Sequence, residues 1–131
     1  MIGLDTNVLV RYIMQDDPKQ SLQATKLIES LTPEMPGFVP LISLVELVWV
    51  LSSCFELTRA QIVDAFDALL RAKELVVERA EVVYRAVERY RGNSVDFADC
   101  LIERSASSVG CERTMTFDRV AAKHCGMALI R

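Results

Sequence analysis

The sequence predicts an α/β fold with a short, mainly parallel sheet. Three observations predict it. Five short apolar runs read as strands: Ile2 to Leu4, Phe38-Val39, Leu75 to Val77, Thr114 to Phe117 and Ala128 to Ile130. Longer segments with helical spacing separate them, the alternation that βα units produce. The length, 131 residues, fits one domain spanning 1–131.

Each element has a local reason. Thr6 to Met14 follows the first strand as a helix, and the turn Gln15-Asp16-Asp17-Pro18 ends it. Pro18 opens the next helix, which points Leu22, Ala24, Leu27 and Ile28 toward a core. Thr32 to Gly37 is a loop. A strongly apolar helix runs from about Ser43 to Cys54. Thr58 caps a helix reaching Arg71, with Ile62, Ala65, Phe66, Leu69 and Leu70 on one face. Ala80 to Tyr90 is helical and stops at Gly92. Asp96 to Ser107 is helical and stops at Gly110. Arg119 to Cys125 forms the helix between the last two strands.

Composition narrows the class. The chain is 51% hydrophobic and 25% charged, with 5 Gly and 4 Pro, as in ordinary globular proteins. Its longest apolar run, Val39 to Leu51, is broken by Pro40, Ser43 and Glu46 and is too short for a bilayer. No basic segment precedes Ile2-Gly3-Leu4, so no secretory signal is expected. The 4 cysteines form no Cys-x-x-Cys pair, which favours a reduced, cytoplasmic protein and disfavours a structural zinc site. The net charge of -3 argues against a nucleic-acid partner unless the acids are gathered and neutralised. Two bound divalent cations would add four charges and leave +1.

Four acids carry the chemistry: Asp5, Glu46, Asp99 and Asp118. Each has a plain structural role open to it. Asp5 and Asp118 suit helix N-caps, and Ser43-x-x-Glu46 has capping-box spacing. Asp99 suits the first turn of its helix, where negative charge meets the macrodipole. Together, all four fall at or just inside helix starts, and three of those helices follow strands. In a parallel sheet these positions share the carboxyl edge, where such folds bind ligands. The caps and the ligands would then be the same side chains.

Two local arguments refine the set. The residues around Glu46 are apolar on all sides, which predicts a buried helix and a costly carboxylate. No basic residue lies between Leu31 and Glu56 to pair with it, so a cation is the economical partner. On the helix from Asp96, the residues Phe97, Ala98, Leu101, Ile102 and Ser105 form one stripe at 3.6-residue spacing. That phase places Asp96 and Glu103 on the solvent side and Asp99 at the edge of the stripe, the better ligand position. Oxygen clusters suit Mg²⁺ or Mn²⁺ rather than zinc, and such ions serve phosphodiester hydrolysis. The chain has no P-loop, nucleophile elbow or dinucleotide fingerprint, and its single histidine, His124, has no evident nucleophile to pair with.

The same residues resemble those of the PIN-domain nucleases, in particular the VapC-type toxins of bacterial toxin–antitoxin pairs. Met1 through Tyr12, with Asp5-Thr6-Asn7, resembles the opening motif of that family. Ile42 to Leu47, with Glu46, resembles its second acidic motif. Asp96-Phe97-Ala98-Asp99-Cys100-Leu101-Ile102 resembles the third, with Cys100 where a small Ala is more usual. Thr114 to Asp118, followed by Ala121-Ala122-Lys123, resembles the closing motif. Four motifs in order, across nearly the whole chain, are far more specific than any one of them.

The resemblance implies a three-layer α/β/α sandwich and an endoribonuclease dependent on Mg²⁺ or Mn²⁺. It implies an RNA substrate, a homodimer and a cognate antitoxin. Asp5 and Asp99 would be the principal metal ligands, and Glu46 and Asp118 would complete the site. Asn7 and Thr116 would orient carboxylates by hydrogen bonds, and Asp96 would have at most an outer role. Arg11, Lys19, Arg104, Arg119 and Lys123 are candidate phosphate contacts, with ordinary solvation as the plain alternative. The rival readings are a catalytically inactive PIN-like scaffold and a phosphatase using Asp5 as nucleophile. The latter wants a second acid two residues on, where Asn7 stands.

Overall fold

The structure, a computed structural model, describes residues 1–92 and 94–131. The chain divides into two compact units, Met1–Glu78 and Arg79–Arg131. Among the described residues there are seven helices and five strands, and every strand pairing is parallel.

The first unit runs β1 (Ile2–Gly3), α1 (Thr6–Met14), α2 (Pro18–Glu29), β2 (Gly37–Val39), α3 (Leu41–Ser53), α4 (Arg59–Arg71) and β3 (Leu75–Val77). The sheet order is β1-β2-β3, with Ile2 opposite Gly37 and Val39 opposite Val77. Helix pairs connect successive strands, which is how a parallel sheet must be wound. The starts of α2 and α4 are as the sequence predicts. Asp17 accepts from the Gln20 amide with Pro18 at the first helical position. Thr58 and Gln61 form a reciprocal capping box. Such caps each contribute on the order of 1 kcal/mol. The core holds Leu4, Leu9, Val10, Val39, Leu44, Leu47, Leu51, Ile62 and Phe66. Burying a side chain of this size typically contributes about 1.5–3 kcal/mol.

Two expectations for this unit are corrected. Leu22 is 54% exposed; the inward face of α2 is Ser21, Ala24 and Ile28, because Ser21 takes the helical position one step earlier. Helix α3 starts at Leu41 behind Pro40, so Ser43 lies inside it and forms no capping box with Glu46. The Ser43 hydroxyl instead donates to the Leu4 carbonyl at 3.4 Å. The Leu41 amide at the start of α3 donates to Oε1 of Glu78, at the end of β3, over 2.9 Å. A carboxylate 37 residues away thus satisfies an amide at the helix start, where the sequence pattern offered Glu46 reaching back to Ser43.

The second unit runs α5 (Ala80–Gly92), α6 (Phe97–Ser108), β4 (Met115–Thr116), α7 (Arg119–His124) and β5 (Ala128–Leu129). Helices α5 and α6 pack against each other, and Val83, Ala86, Val87, Tyr90, Phe97 and Leu101 on them are buried. The Tyr90 and Phe97 rings meet edge to face, 5.8 Å between centres at 87°. β4 and β5 pair with Met115 opposite Ala128, and α7 forms the crossover between them.

The phase of α6 differs from the sequence reading. Its buried residues are Phe97, Cys100, Leu101 and Glu103, whereas Ile102 is 53% exposed. Glu103, expected on the solvent side, is only 5% exposed. The cause is a charge network that the hydrophobic pattern does not encode. Oε1 of Glu103 accepts from Nη1 of Arg89 at 2.8 Å and from Nε of Arg104 at 3.0 Å, and Oε2 accepts from Nη2 of Arg104 at 2.8 Å. Nη1 of Arg89 also donates to the Cys125 carbonyl. Gly126 follows with φ +77, and a β-carbon there would stand 3.0 Å from the same Nη1. The positive φ favours glycine, and a side chain there would also press on the arginine head.

Candidate active site

In the first unit, the strand-to-helix turn after β1 presents Asp5. It is exposed and N-caps α1, with Oδ1 accepting from the Thr6 amide at 2.8 Å. The cap engages one carboxylate oxygen. Asp5, Thr6 and Asn7 then form one wall of a cleft of about 460 Å³ whose other wall is Val45, Glu46, Trp49 and Val50 of α3. Thr6 is buried, and its hydroxyl donates to Oε1 of Glu46 over 2.7 Å. Asn7, exposed, also borders a second hollow with Val8, Arg11, Gln20, Gln23, Ala24 and Leu27.

Glu46 itself is exposed, contrary to the buried helix expected around it. Helix α3 buries Ser43, Leu44, Leu47, Val48 and Leu51 and turns Ile42, Glu46 and Trp49 outward, at 74% exposure for Ile42 and 64% for Trp49. A helix apolar on every side carries no directional signal, so its composition could not say which face is free. Burial therefore gives no case for a cation at Glu46. Its place beside Asp5 in one cleft does. Nor is it at a helix start, being the sixth residue of α3.

In the second unit, Asp118 is exposed and N-caps α7, its Oδ1 accepting from the Val120 and Ala121 amides at 2.8 and 3.1 Å. The Thr116 hydroxyl accepts from the Asp118 amide at 3.0 Å. Thr116 thus acts on the backbone of Asp118 and not on its carboxylate. Asp96 is exposed and N-caps α6, accepting from the Ala98 amide at 3.4 Å. Asp99, half-buried, sits in the first turn. Its carboxyl is held above the ordinary carboxylate value, first by burial and then by the negative charges of Asp96 and Asp118. Cys100, the next residue, is fully buried, with its Sγ 3.7 Å from Sγ of Cys125. Burial pushes the Cys100 thiol up to about 12.

Two residues escaped the sequence reading. Thr6 holds Glu46, and its signal was present in Asp5-Thr6-Asn7. Glu78 anchors the start of α3, and nothing local announces it. Of the candidate phosphate contacts, Arg11 is engaged by Asp16 and Gln20, and Arg104 by Glu103. Among the described residues, no three His, Cys, Asp or Glu side chains form a ready-made metal cluster. The donors that face the first-unit cleft are oxygen atoms, the chemistry that hard divalent cations select. No helix among the described residues is long and apolar enough to cross a membrane.

Comparison with known proteins matches residues 2–126 to the PIN domain. A VapC ribonuclease of Aquifex aeolicus (strain VF5) is 26% identical over 121 residues, covering 88% of this chain and 86% of its own length. No solved structure gives a significant match.

Proposed function

The chain belongs to the PIN-domain family, and on that premise we propose that it is an endoribonuclease dependent on Mg²⁺ or Mn²⁺. Asp5, Glu46, Asp99 and Asp118 are its metal carboxylates. Asn7, Thr116 and Asp96 support them. The whole chain, 1–131, is one nuclease domain, since the family match runs through both compact units. The observation that carries this reading is the cleft of the first unit. Residues about forty positions apart place Asp5, Asn7 and Glu46 on one hollow, and a buried threonine holds the glutamate there.

Bound Mg²⁺ or Mn²⁺ supplies Lewis-acid chemistry, activating water and neutralising charge at a phosphodiester. The chain's own residues do the positioning. The caps at Asp5 and Asp118 each employ one oxygen, Oδ1, and fix the carboxyl planes at rigid helix starts. Thr6 fixes Glu46. In the second unit, Asp99 is kept among other negative charges, an arrangement that disfavours its ionised form and that a cation relieves. The likeness to a VapC ribonuclease supports RNA as the substrate. We further propose that this chain is the toxin of a toxin–antitoxin pair and works as a homodimer.

The test is cleavage of single-stranded RNA by the purified protein with Mg²⁺ or Mn²⁺, together with its melting temperature. Cleavage should vanish with chelator and in Asp5→Asn. The melting temperature should rise with metal concentration as RT ln(1 + [L]/Kd) requires. An unchanged melting curve and no cleavage would return the chain to the inactive-scaffold reading.

A further inference from the structure

The exposed face of α3 holds a large apolar side chain that folding of this unit leaves uncovered. Trp49 is 64% exposed and lies one turn beyond Glu46 on the same face. Its indole lines the cleft with Asp5, Thr6, Asn7, Val45, Glu46 and Val50. The volume, about 460 Å³, is of the size that receives a small organic group, roughly 300–1,000 Å³.

The lining has one deficiency for a nuclease. It contains two carboxylates and no basic side chain. Affinity for nucleic acid ordinarily comes from lysine and arginine on phosphates, and even with cations on the carboxylates this lining offers no such side chain. The grip that the lining itself can add is uncharged. Stacking of a base on an aromatic ring is such a grip, tolerant of sequence because every base presents a π-face.

We propose that Trp49 is a base platform: the nucleobase of a nucleotide beside the scissile phosphodiester stacks on its indole and holds the strand against Asp5 and Glu46. This rests on the ribonuclease reading above. Trp49 then contributes to substrate binding, and the carboxylates to the chemical step.

Trp49 is the sole tryptophan of the chain, so its emission reports on this cleft alone. The experiment uses the full chain carrying Asp99→Asn, a cleavage-dead background that changes none of the residues lining the cleft. It is titrated with a single-stranded RNA decamer in Mg²⁺, and with a decamer of abasic ribose-phosphate. The RNA should quench the indole, and the abasic chain should not. In the otherwise native protein, Trp49→Ala should raise KM about 5- to 150-fold, the loss of one stacked base, with kcat within about twofold. Trp49→Phe should recover most of the loss and Trp49→Leu should not, because the π-face matters and not the bulk. Because the side chain is exposed, all three variants should melt close to wild type.

RNA cleavage that persists in Trp49→Ala with an unchanged KM overturns this inference and leaves the nuclease reading standing. So does equal rescue by leucine. Quenching that follows protein concentration and not RNA assigns the indole to a contact between copies and also overturns it. Absence of cleavage by wild type overturns the nuclease reading and with it the place beside a scissile bond, and an intact RNA quench then leaves only base stacking on Trp49.

Discussion

Thr6 donates its hydroxyl proton to Oε1 of Glu46 over 2.7 Å, tying the first residue of α1 to the middle of α3. The threonine is buried and the glutamate exposed, so a fixed hydroxyl aims a carboxylate that faces solvent. Thr6→Val keeps the shape and removes the donor. Cleavage should fall about 10- to 100-fold, the usual effect of losing an orienting partner. Stability should drop by only about 0.5–1.5 kcal/mol. Thr6→Ser should restore activity. Measured kcat/KM and a thermal melt of all three proteins decide it, and full activity in the valine protein would remove Thr6 from the site.

Glu103 makes the opposite case, a charge that matters for folding. Glu103→Ala removes the common acceptor of the partly buried Arg89 and Arg104. Breaking a buried pair in this way typically costs about 3–5 kcal/mol. The arginine side chains are 27% and 23% exposed, which points to the lower end. Urea unfolding measures it. A loss under about 1 kcal/mol would show that water replaces the glutamate.

Asp99→Asn should abolish cleavage and yet stabilise the metal-free protein near neutral pH. The sign follows from the raised carboxyl. An acid whose folded value lies above its ordinary 3.8 is penalised whenever it is ionised in the fold. That penalty is present above the folded value and disappears as pH falls below 3.8. The advantage of the asparagine protein should therefore be full at pH 7 and shrink toward pH 4. Melting temperatures in chelator at the two values check it, and an advantage that grows on acidification would refute the assignment.

Asp96 and Asp99 should differ in kind. Asp96 caps α6, so Asp96→Ala should cost about 0.5–2 kcal/mol and leave much of the cleavage. Asp99→Asn should do the reverse. The pair of melts and cleavage rates is the measurement. Loss of cleavage and of the metal-induced melting shift at Asp96, with both kept at Asp99, would move the site by one turn of helix.

Much of the local structure was legible because its causes are local. Pro18 after Asp17, and Thr58 three residues before Gln61, start helices by chemistry contained within four residues. Leu75 to Val77 is a strand in the sequence pattern and in the fold. The acidic positions were legible too, as Asp5 and Asp118 are caps whose form can be read from the chain. Asp99 falls in the first turn as expected.

The sequence by itself determined where most of the helices begin, that strands alternate with them, and that Asp5, Asp99 and Asp118 stand at helix starts, although it misplaced the start of α3 and with it Glu46. Capping, turn chemistry and periodicity act over a few residues and leave their mark in the chain. Only the tertiary structure decided which way α3 and α6 face. Helix α3 is apolar all round, so its neighbours alone chose to bury Leu44 and Leu47 and to leave Glu46 and Trp49 outside. In α6, Glu103 is drawn inward by Arg89, 14 residues away on another helix. Thr6 meets Glu46 across 40 residues, and Glu78 meets Leu41 across 37. A hydrogen bond between distant segments follows from where the backbone places its ends, and no window of sequence contains both.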